Sequence, residues 1–236
     1  MRIFKYFMVK NECDLKSCFL CRFCLGDWLP AVAANRENIA VKKGQLLFKE
    51  GDPVKGIFFI YSGAVKVHKR WGSDKELILR FARQGDIVGH MALGKDIVYP
   101  VSATAVEAGI VCYVGIDFFE STLSINHQLA RQLVFVLAND LQESEKRMRN
   151  LAHMPVKGRV AQALLTLHTQ FGTTADGYIN IELTRQDLSS FTGAAYESLF
   201  RVMNELVEEG AITAKGKSIS ITDEPALLHL VSASES

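Results

Sequence analysis

Leu183-Thr-Arg-Gln-Asp-Leu-Ser-Ser-Phe-Thr-Gly-Ala-Ala-Tyr-Glu-Ser-Leu-Phe-Arg201 reads as two short helices around one glycine. Thr184 is a good N-cap, and Asp187 stands three residues on, close to the capping-box pattern. Leu188 and Phe191 then face inward. Thr192-Gly193 forms the turn, where glycine accepts left-handed backbone at little cost. Ala194–Glu209 follows as a second helix, with Leu199, Val202, Met203, Leu206 and Val207 as its buried stripe. That leaves Tyr196, Glu197, Ser198, Phe200 and Arg201 outward near its start. Ala211-Ile212 and Ser218–Ile221, around Lys215-Gly216-Lys217, add a small hairpin. A helix-turn-helix with such a wing places the first half of its second helix in a DNA major groove.

Upstream, Lys157–Phe171 is amphipathic, with Val160, Leu164, Leu165, Leu167 and Phe171 against Arg159, Gln162 and Thr166. Tyr178–Leu183 alternates like a strand. His153-Met154-Pro155 breaks a longer helix predicted over Ile125–Leu151, whose stripe is Leu129, Leu133, Leu137, Leu141, Met148 and Leu151. That stripe either packs on its own domain or forms a dimer seam. A helix near 25 residues is more than one small roll covers, which favours the seam. Residues 38–115 read as short strands between glycine turns: Gln45–Lys49, Ile57–Tyr61, Ala64–His68, Leu77–Phe81, Ile87-Val88-Gly89, Val101–Val106 and Ile110–Val114. The expected fold is α+β. Residues 1–30 form a Cys-rich segment and 31–124 an antiparallel β-roll of jelly-roll type. Residues 125–152 form the dimerisation helix and 153–236 the winged helix-turn-helix.

The 236 residues carry 27 Lys+Arg against 26 Asp+Glu, with 48% hydrophobic and 22% charged residues. Those are globular values and exclude disordered or low-complexity classes. No apolar run reaches the roughly 20 residues needed to span a bilayer. Lys10, Glu12 and Asp14 interrupt the start before any signal-peptide core forms. A soluble, cytoplasmic protein with no membrane partner is expected. No nucleophile–base pair, P-loop or metal-hydrolase motif appears, so an enzyme is not expected. Residues 153–236 hold ten acidic and six basic residues, so DNA binding must rest on local clusters and helix N-termini.

Taken in order, Gly44-Gln-Leu-Leu-Phe-Lys-Glu-Gly51, Ser62-Gly63, Gly85-Asp-Ile-Val-Gly89, Lys157-Gly-Arg-Val-Ala-Gln-Ala-Leu-Leu165, Leu183–Leu188, Gly193–Arg201, Glu209-Gly210 and Lys215-Gly-Lys-Ser-Ile219 resemble the CRP/FNR family of bacterial transcription regulators. The resemblance covers nearly the whole chain past residue 35. It implies a homodimer on a palindromic operator in double-stranded DNA, with RNA polymerase as a further partner. In the family a Glu and an Arg four residues apart on the recognition helix read bases, and Glu197 and Arg201 match them. Positions i and i+4 share a face. A carboxylate accepts from cytosine N4, and Arg donates bidentately to guanine. The plainer reading of Glu197 and Arg201 is a surface ion pair. Tyr196 stands where cyclic-AMP-type members carry another Arg. Thr184, Arg185, Gln186, Ser198, Lys215 and Lys217 complete the candidate DNA contacts.

The resemblance also frames the effector. Cyclic-nucleotide binders carry a ribose-binding Glu after the glycine of the Gly85–Gly89 segment and a phosphate-binding Arg before Ser-Ala. Here those positions are His90 and Val101, ahead of Ser102-Ala103, so cyclic AMP is not expected as the ligand. Gly89, His90, Met91, Val101 and Ser102 remain the candidate pocket for another effector. FNR-type members hold an iron–sulfur cluster through N-terminal cysteines and one barrel cysteine. Cys13, Cys18, Cys21 and Cys24 supply the first part and Cys112 matches the second, with a different spacing and one thiol in excess. Three readings stay open: a [4Fe–4S] cluster or other redox centre, zinc in an all-thiolate tetrahedron, and plain packing of small apolar side chains. Haem ligation by His68, His90 or His153 is not favoured, since a lone His is more often surface or satisfied core. Two rival functions stand beside the DNA-binding regulator. One is a small-molecule-binding module without sequence-specific DNA binding; the other is a redox or metal protein built on the cysteines.

Overall fold

The structure is a computed structural model that describes Phe7–Met8, residues 16–72 and residues 75–233. The first half is built from strand β1 (Phe7–Met8), helices α1 (Phe19–Phe23) and α2 (Leu29–Asn35), and eight further strands. These are β2 (Arg36–Val41), β3 (Leu46–Phe48), β4 (Gly56–Ser62), β5 (Val65–Trp71), β6 (Lys75–Ala82), β7 (Ile87–Val88), β8 (Ser102–Ala105) and β9 (Gly109–Gly115). They form two antiparallel sheets, ordered β1-β2-β9-β4-β7 and β3-β8-β5-β6. Helices α3 (Ile116–Ile125) and α4 (His127–His153) follow. The second half holds α5 (Val156–Phe171), α6 (Arg185–Thr192), α7 (Tyr196–Glu208), the hairpin β10 (Ile212–Lys215) and β11 (Ser218–Ile221), and α8 (Glu224–Ser232). The chain is therefore α+β, an antiparallel roll followed by a winged helix-turn-helix.

Two compact units emerge, one formed by Met1–Lys69 with Arg80–Leu141 and the other by Arg70–Leu79 with Gln142–Ser236. In the first, strand parity decides which side chains meet. Phe58 turns one way, against Phe48 and Tyr113 at ring distances of 5.6 and 5.1 Å. Ile57 and Phe59 turn the other way. Across the ladder Phe59 pairs with Cys112 and Ile57 with Val114. These four join Leu20 of α1, Val32 of α2, Phe119 of α3 and Leu129 and Leu133 of α4 in one buried apolar cluster. In the second unit, Val160, Leu164 and Leu167 of α5, Leu188 of α6, and Leu199, Val202, Met203 and Leu206 of α7 are buried.

Several sequence expectations are corrected. Tyr178–Leu183 makes no strand; a single bridge joins Thr173 and Ile179. Ile179, Ile181 and Leu183 are buried in alternation, so the period-two pattern reflects burial without a ladder. Val207 is 42% exposed and drops out of the α7 stripe. The long helix runs His127–His153, with α3 as a separate helix before it. Its predicted stripe divides: Leu129 and Leu133 are buried and Leu151 is half-buried, while Leu137, Leu141 and Met148 are exposed, as is Val134 on the same helix. Among the described residues no helix is long and apolar enough to cross a membrane.

Candidate functional site

The helix-turn-helix is fixed by its ends. The Thr184 hydroxyl accepts from the Asp187 N–H at 3.0 Å and the Asp187 carboxylate accepts from the Thr184 N–H at 3.3 Å, a reciprocal capping box. Gly193 closes α6 at φ 62°. A Cβ there would stand 2.5 Å from Leu151 Cδ2 and 3.3 Å from an Arg159 guanidinium nitrogen, ends of side chains that would have to swing aside, while the left-handed backbone itself favours glycine. Arg159 donates to the carbonyls of Thr192 and Gly193 at 2.8 and 3.0 Å. These are carbonyls a helix end leaves unpaired.

On α7, Tyr196, Glu197, Phe200 and Arg201 are exposed and Ser198 is half-buried. The Arg201 side chain keeps 74% exposure, and its Nε lies 3.8 Å from the Glu205 carboxylate. Glu205 and Glu209 also hold Lys157, at 3.5 and 2.6 Å. The nearest acidic partner of Arg201 is thus one turn C-terminal, and Glu197 stays available on the other side. Gln186, Lys215 and Lys217 are exposed. Thr184 is occupied as a cap. Arg185 donates to Gly216 O at 3.2 Å, tying α6 to the wing. Burial, with Tyr196 nearby acting in opposition, lowers the pKa of its guanidinium.

In the roll, Gly89 has φ 94° and His90, Val101 and Ser102 are buried, whereas Met91 is 42% exposed. The Ser102 hydroxyl accepts from the Glu50 N–H at 2.9 Å. His90 Nε2 sits 2.9 Å from Asp140 Oδ2 on α4. Burial pushes the Asp140 carboxyl up, but the His90 hydrogen bond and the Arg80 charge outweigh it and hold the group below its ordinary value. The carboxylate is therefore the acceptor and His90 Nε2–H the donor. His68 is also buried, 3.0 Å from Thr104 Oγ1, and His153 ends α4 exposed.

Cys18 and Cys21 of the α1 segment share one buried cluster with Cys112 of β9, and Cys24 packs against it. None of the four is in a disulfide. Burial, with Cys18 close by, pushes the Cys24 thiol up to about 11. Cys13 lies outside the described residues. Among the described residues, no three His, Cys, Asp or Glu side chains stand in metal-holding geometry. Cys18, Cys21 and Cys112 are buried and Cys24 is half-buried at the edge of their cluster. Thiols are the donors an iron–sulfur cluster takes, but holding one would require these four to draw closer together, and a zinc tetrahedron without Cys112 would need Cys13. Trp28 Nε1–H donates to the Thr122 hydroxyl at 3.1 Å and the Leu25 N–H to Asn126 Oδ1 at 2.7 Å, so the segment carrying the thiols is pinned to α3 and its C-cap.

Comparison with known proteins matches these two regions separately. Residues 38–126 fit the cyclic nucleotide-binding domain, and residues 158–230 fit the Crp-like helix-turn-helix domain. The chain belongs to the CRP/FNR family. Among curated members, the transcriptional activator protein anr of Pseudomonas aeruginosa is 29% identical over 193 residues, 80% of this chain and 78% of its own length. The CRP-like cAMP-activated global transcriptional regulator of Mycobacterium tuberculosis is 26% identical over 84% of this chain and 90% of its own. Among solved structures, FixK2 from Bradyrhizobium japonicum superposes with a TM-score of 0.74 at 22% identity, covering 83% of this chain and 96% of that one. This CRP/FNR protein is accordingly a transcription regulator with a cyclic-nucleotide-binding-type roll and a DNA-binding helix-turn-helix, and its relatives are regulators rather than enzymes. Such regulators bind DNA as dimers.

Sequence reasoning missed the Arg159 grip on the α6 carbonyls and the His90–Asp140 contact. Arg159 was visible only as a polar face residue of α5. Asp140 carried no signal, because its partner lies far away in sequence.

Proposed function

We propose that this chain is a homodimeric, sequence-specific regulator whose DNA binding follows the redox or nitric-oxide state of a thiolate centre formed by Cys18, Cys21, Cys24 and Cys112. The observation that carries the reading is the convergence of Cys18, Cys21 and Cys112 on one apolar cluster with Cys24 at its edge. When bound, an iron–sulfur cluster supplies one-electron chemistry and sensitivity to oxidants. The chain's own residues supply the four thiols, and the apolar cluster with Leu20, Val32, Phe119 and Leu129 buries Cys18, Cys21 and Cys112 while leaving Cys24 half-buried. Because the Cys24 thiol is pushed up, loading must release protons.

DNA reading falls to Glu197 and Arg201, with Tyr196 and Ser198 beside them and Gln186, Lys215 and Lys217 at phosphates. Thr184 and Arg185 support these contacts through the cap and the wing. The dimer seam is Val134, Leu137, Leu141 and Met148, which recur at three-, four- and seven-residue steps and are all exposed. Cyclic AMP is not the effector: Val101 offers no cation, and His90 is bonded to Asp140. Action on operators, with RNA polymerase as partner, belongs to the cytoplasm. The test is anaerobic purification with a visible spectrum and iron, sulfide and zinc analysis. Iron and sulfide near four each per chain support the reading; zinc at one per chain, or no metal, overturns it.

A further inference from the structure

Arg147 lies on α4, is half-buried, and burial pulls its guanidinium down to about 10. Such a charge is held only where its donors are met. One guanidinium nitrogen donates to Leu79 O on β6 and the other to Phe191 O near the end of α6, and the plane sits 4.9 Å over the Phe191 ring. Arg159 holds the next two carbonyls, Thr192 O and Gly193 O. Three successive carbonyls at the negative end of α6 are thus met by two guanidinium groups. The two differ in reach. Arg159 is in α5, inside the helix-turn-helix domain. Arg147 bridges that domain to the hairpin segment 70–79, which is part of the same compact unit. Leu77 of this hairpin comes within 3.8 Å of where a Gly193 Cβ would stand, so it lines the helix-turn-helix turn.

We infer that Arg147 is a positioning residue for DNA recognition: it clamps α6 to the β5–β6 hairpin, and the hairpin's position thereby sets how α7 is presented to DNA. The hairpin is covalently continuous with strands β5 and β6 of the roll. Two parallel donations from a planar fork fix orientation as well as distance, which a single ammonium cannot do.

Two variants and one reporter test this. Arg147→Met keeps length and apolar contact but removes both donations; Arg147→Lys keeps the charge and a single donor head. The probe is duplex DNA selected by the wild-type chain from a random-sequence pool. Trp71, the last residue of β5 and 82% exposed, reports hairpin freedom as one of two 19F resonances in 5-fluorotryptophan-labelled protein. Arg147→Met is expected to weaken selected-DNA binding about tenfold. It should leave the salt slope unchanged and sharpen the Trp71 resonance, with Arg147→Lys between the two. Val160→Ala, a core truncation in the same unit, is the stability control. It should lower the melting temperature without moving the Trp71 resonance. Unchanged affinity in Arg147→Met, an equal affinity loss in Val160→Ala at matched stability, or a salt slope reduced by about one would each overturn the assignment. The inference rests on α7 as the DNA-reading helix. A wild-type chain that selects no DNA sinks that reading, while an unmoved Trp71 resonance in Arg147→Met sinks the clamp.

Discussion

The two functional regions present their chemistry in opposite ways. The helix-turn-helix exposes Tyr196, Glu197, Phe200 and Arg201 on a frame whose every joint is bonded: capping box, Gly193 turn, Arg159 and Arg185. The roll buries Cys18, Cys21 and Cys112 among leucine, valine and phenylalanine. A surface that reads a polyanion must offer donors without paying to uncover them. A centre that senses small oxidants is better held in a dry shell, where solvent access and thiol ionisation are controlled. Under the proposed function, the difference makes DNA reading separable, residue by residue, from sensing.

The strongest test of that separation is at the cysteines. Cys112→Ala is expected to abolish iron and visible colour in anaerobically purified protein while the chain still folds, since alanine fits the same apolar site. Full retention of iron would remove Cys112 from the centre. Next in size is the seam. Val134→Asp with Leu141→Asp is expected to give a monomer mass by light scattering and to remove tight operator binding. Leu133 is a poor probe of the seam, because it is buried in the cysteine-containing core. An unchanged dimer mass would move the interface elsewhere.

Within DNA reading, Arg201→Ala is expected to cost about 1–3 kcal/mol on the operator and little on random DNA. Equal losses on both would make it a phosphate contact. Lys217→Ala should weaken both DNAs alike and lower the salt slope by about one. The smallest effect expected is that of cyclic AMP: no heat of binding and no change in operator affinity. Calorimetric binding in the micromolar range would contradict the role given to Val101 and His90.

The helix-turn-helix was legible because its signals are local. Thr184, Asp187 and Gly193 act within one or two turns, and hydrophobic spacing on α7 needs no partner to be read. The roll strands were legible for the same reason, each lying between turn residues. The β2 strand was not, since Arg36, Glu37 and Asn38 open it with polar side chains and only Ile39 and Val41 are buried. Tyr178–Leu183 misled because burial alternation and strand pairing leave the same trace. The α4 stripe mixed two faces: Leu129 and Leu133 belong to the core, while Leu137, Leu141 and Met148 do not. The meeting of Cys112 with Cys18 and Cys21 depends on strand parity and on the Phe59–Cys112 register, which local pattern does not carry. The Arg147 bridge is tertiary in the same sense.

The central claim is that the cysteine-containing core governs the exposed DNA-reading face. Operator affinity measured anaerobically, before and after controlled exposure to air or nitric oxide, on the wild-type chain and on Cys112→Ala, tests it most directly. A wild-type affinity that changes at least tenfold on exposure, with Cys112→Ala fixed at one level throughout, is the predicted result. Identical affinities under all conditions in both proteins would contradict it.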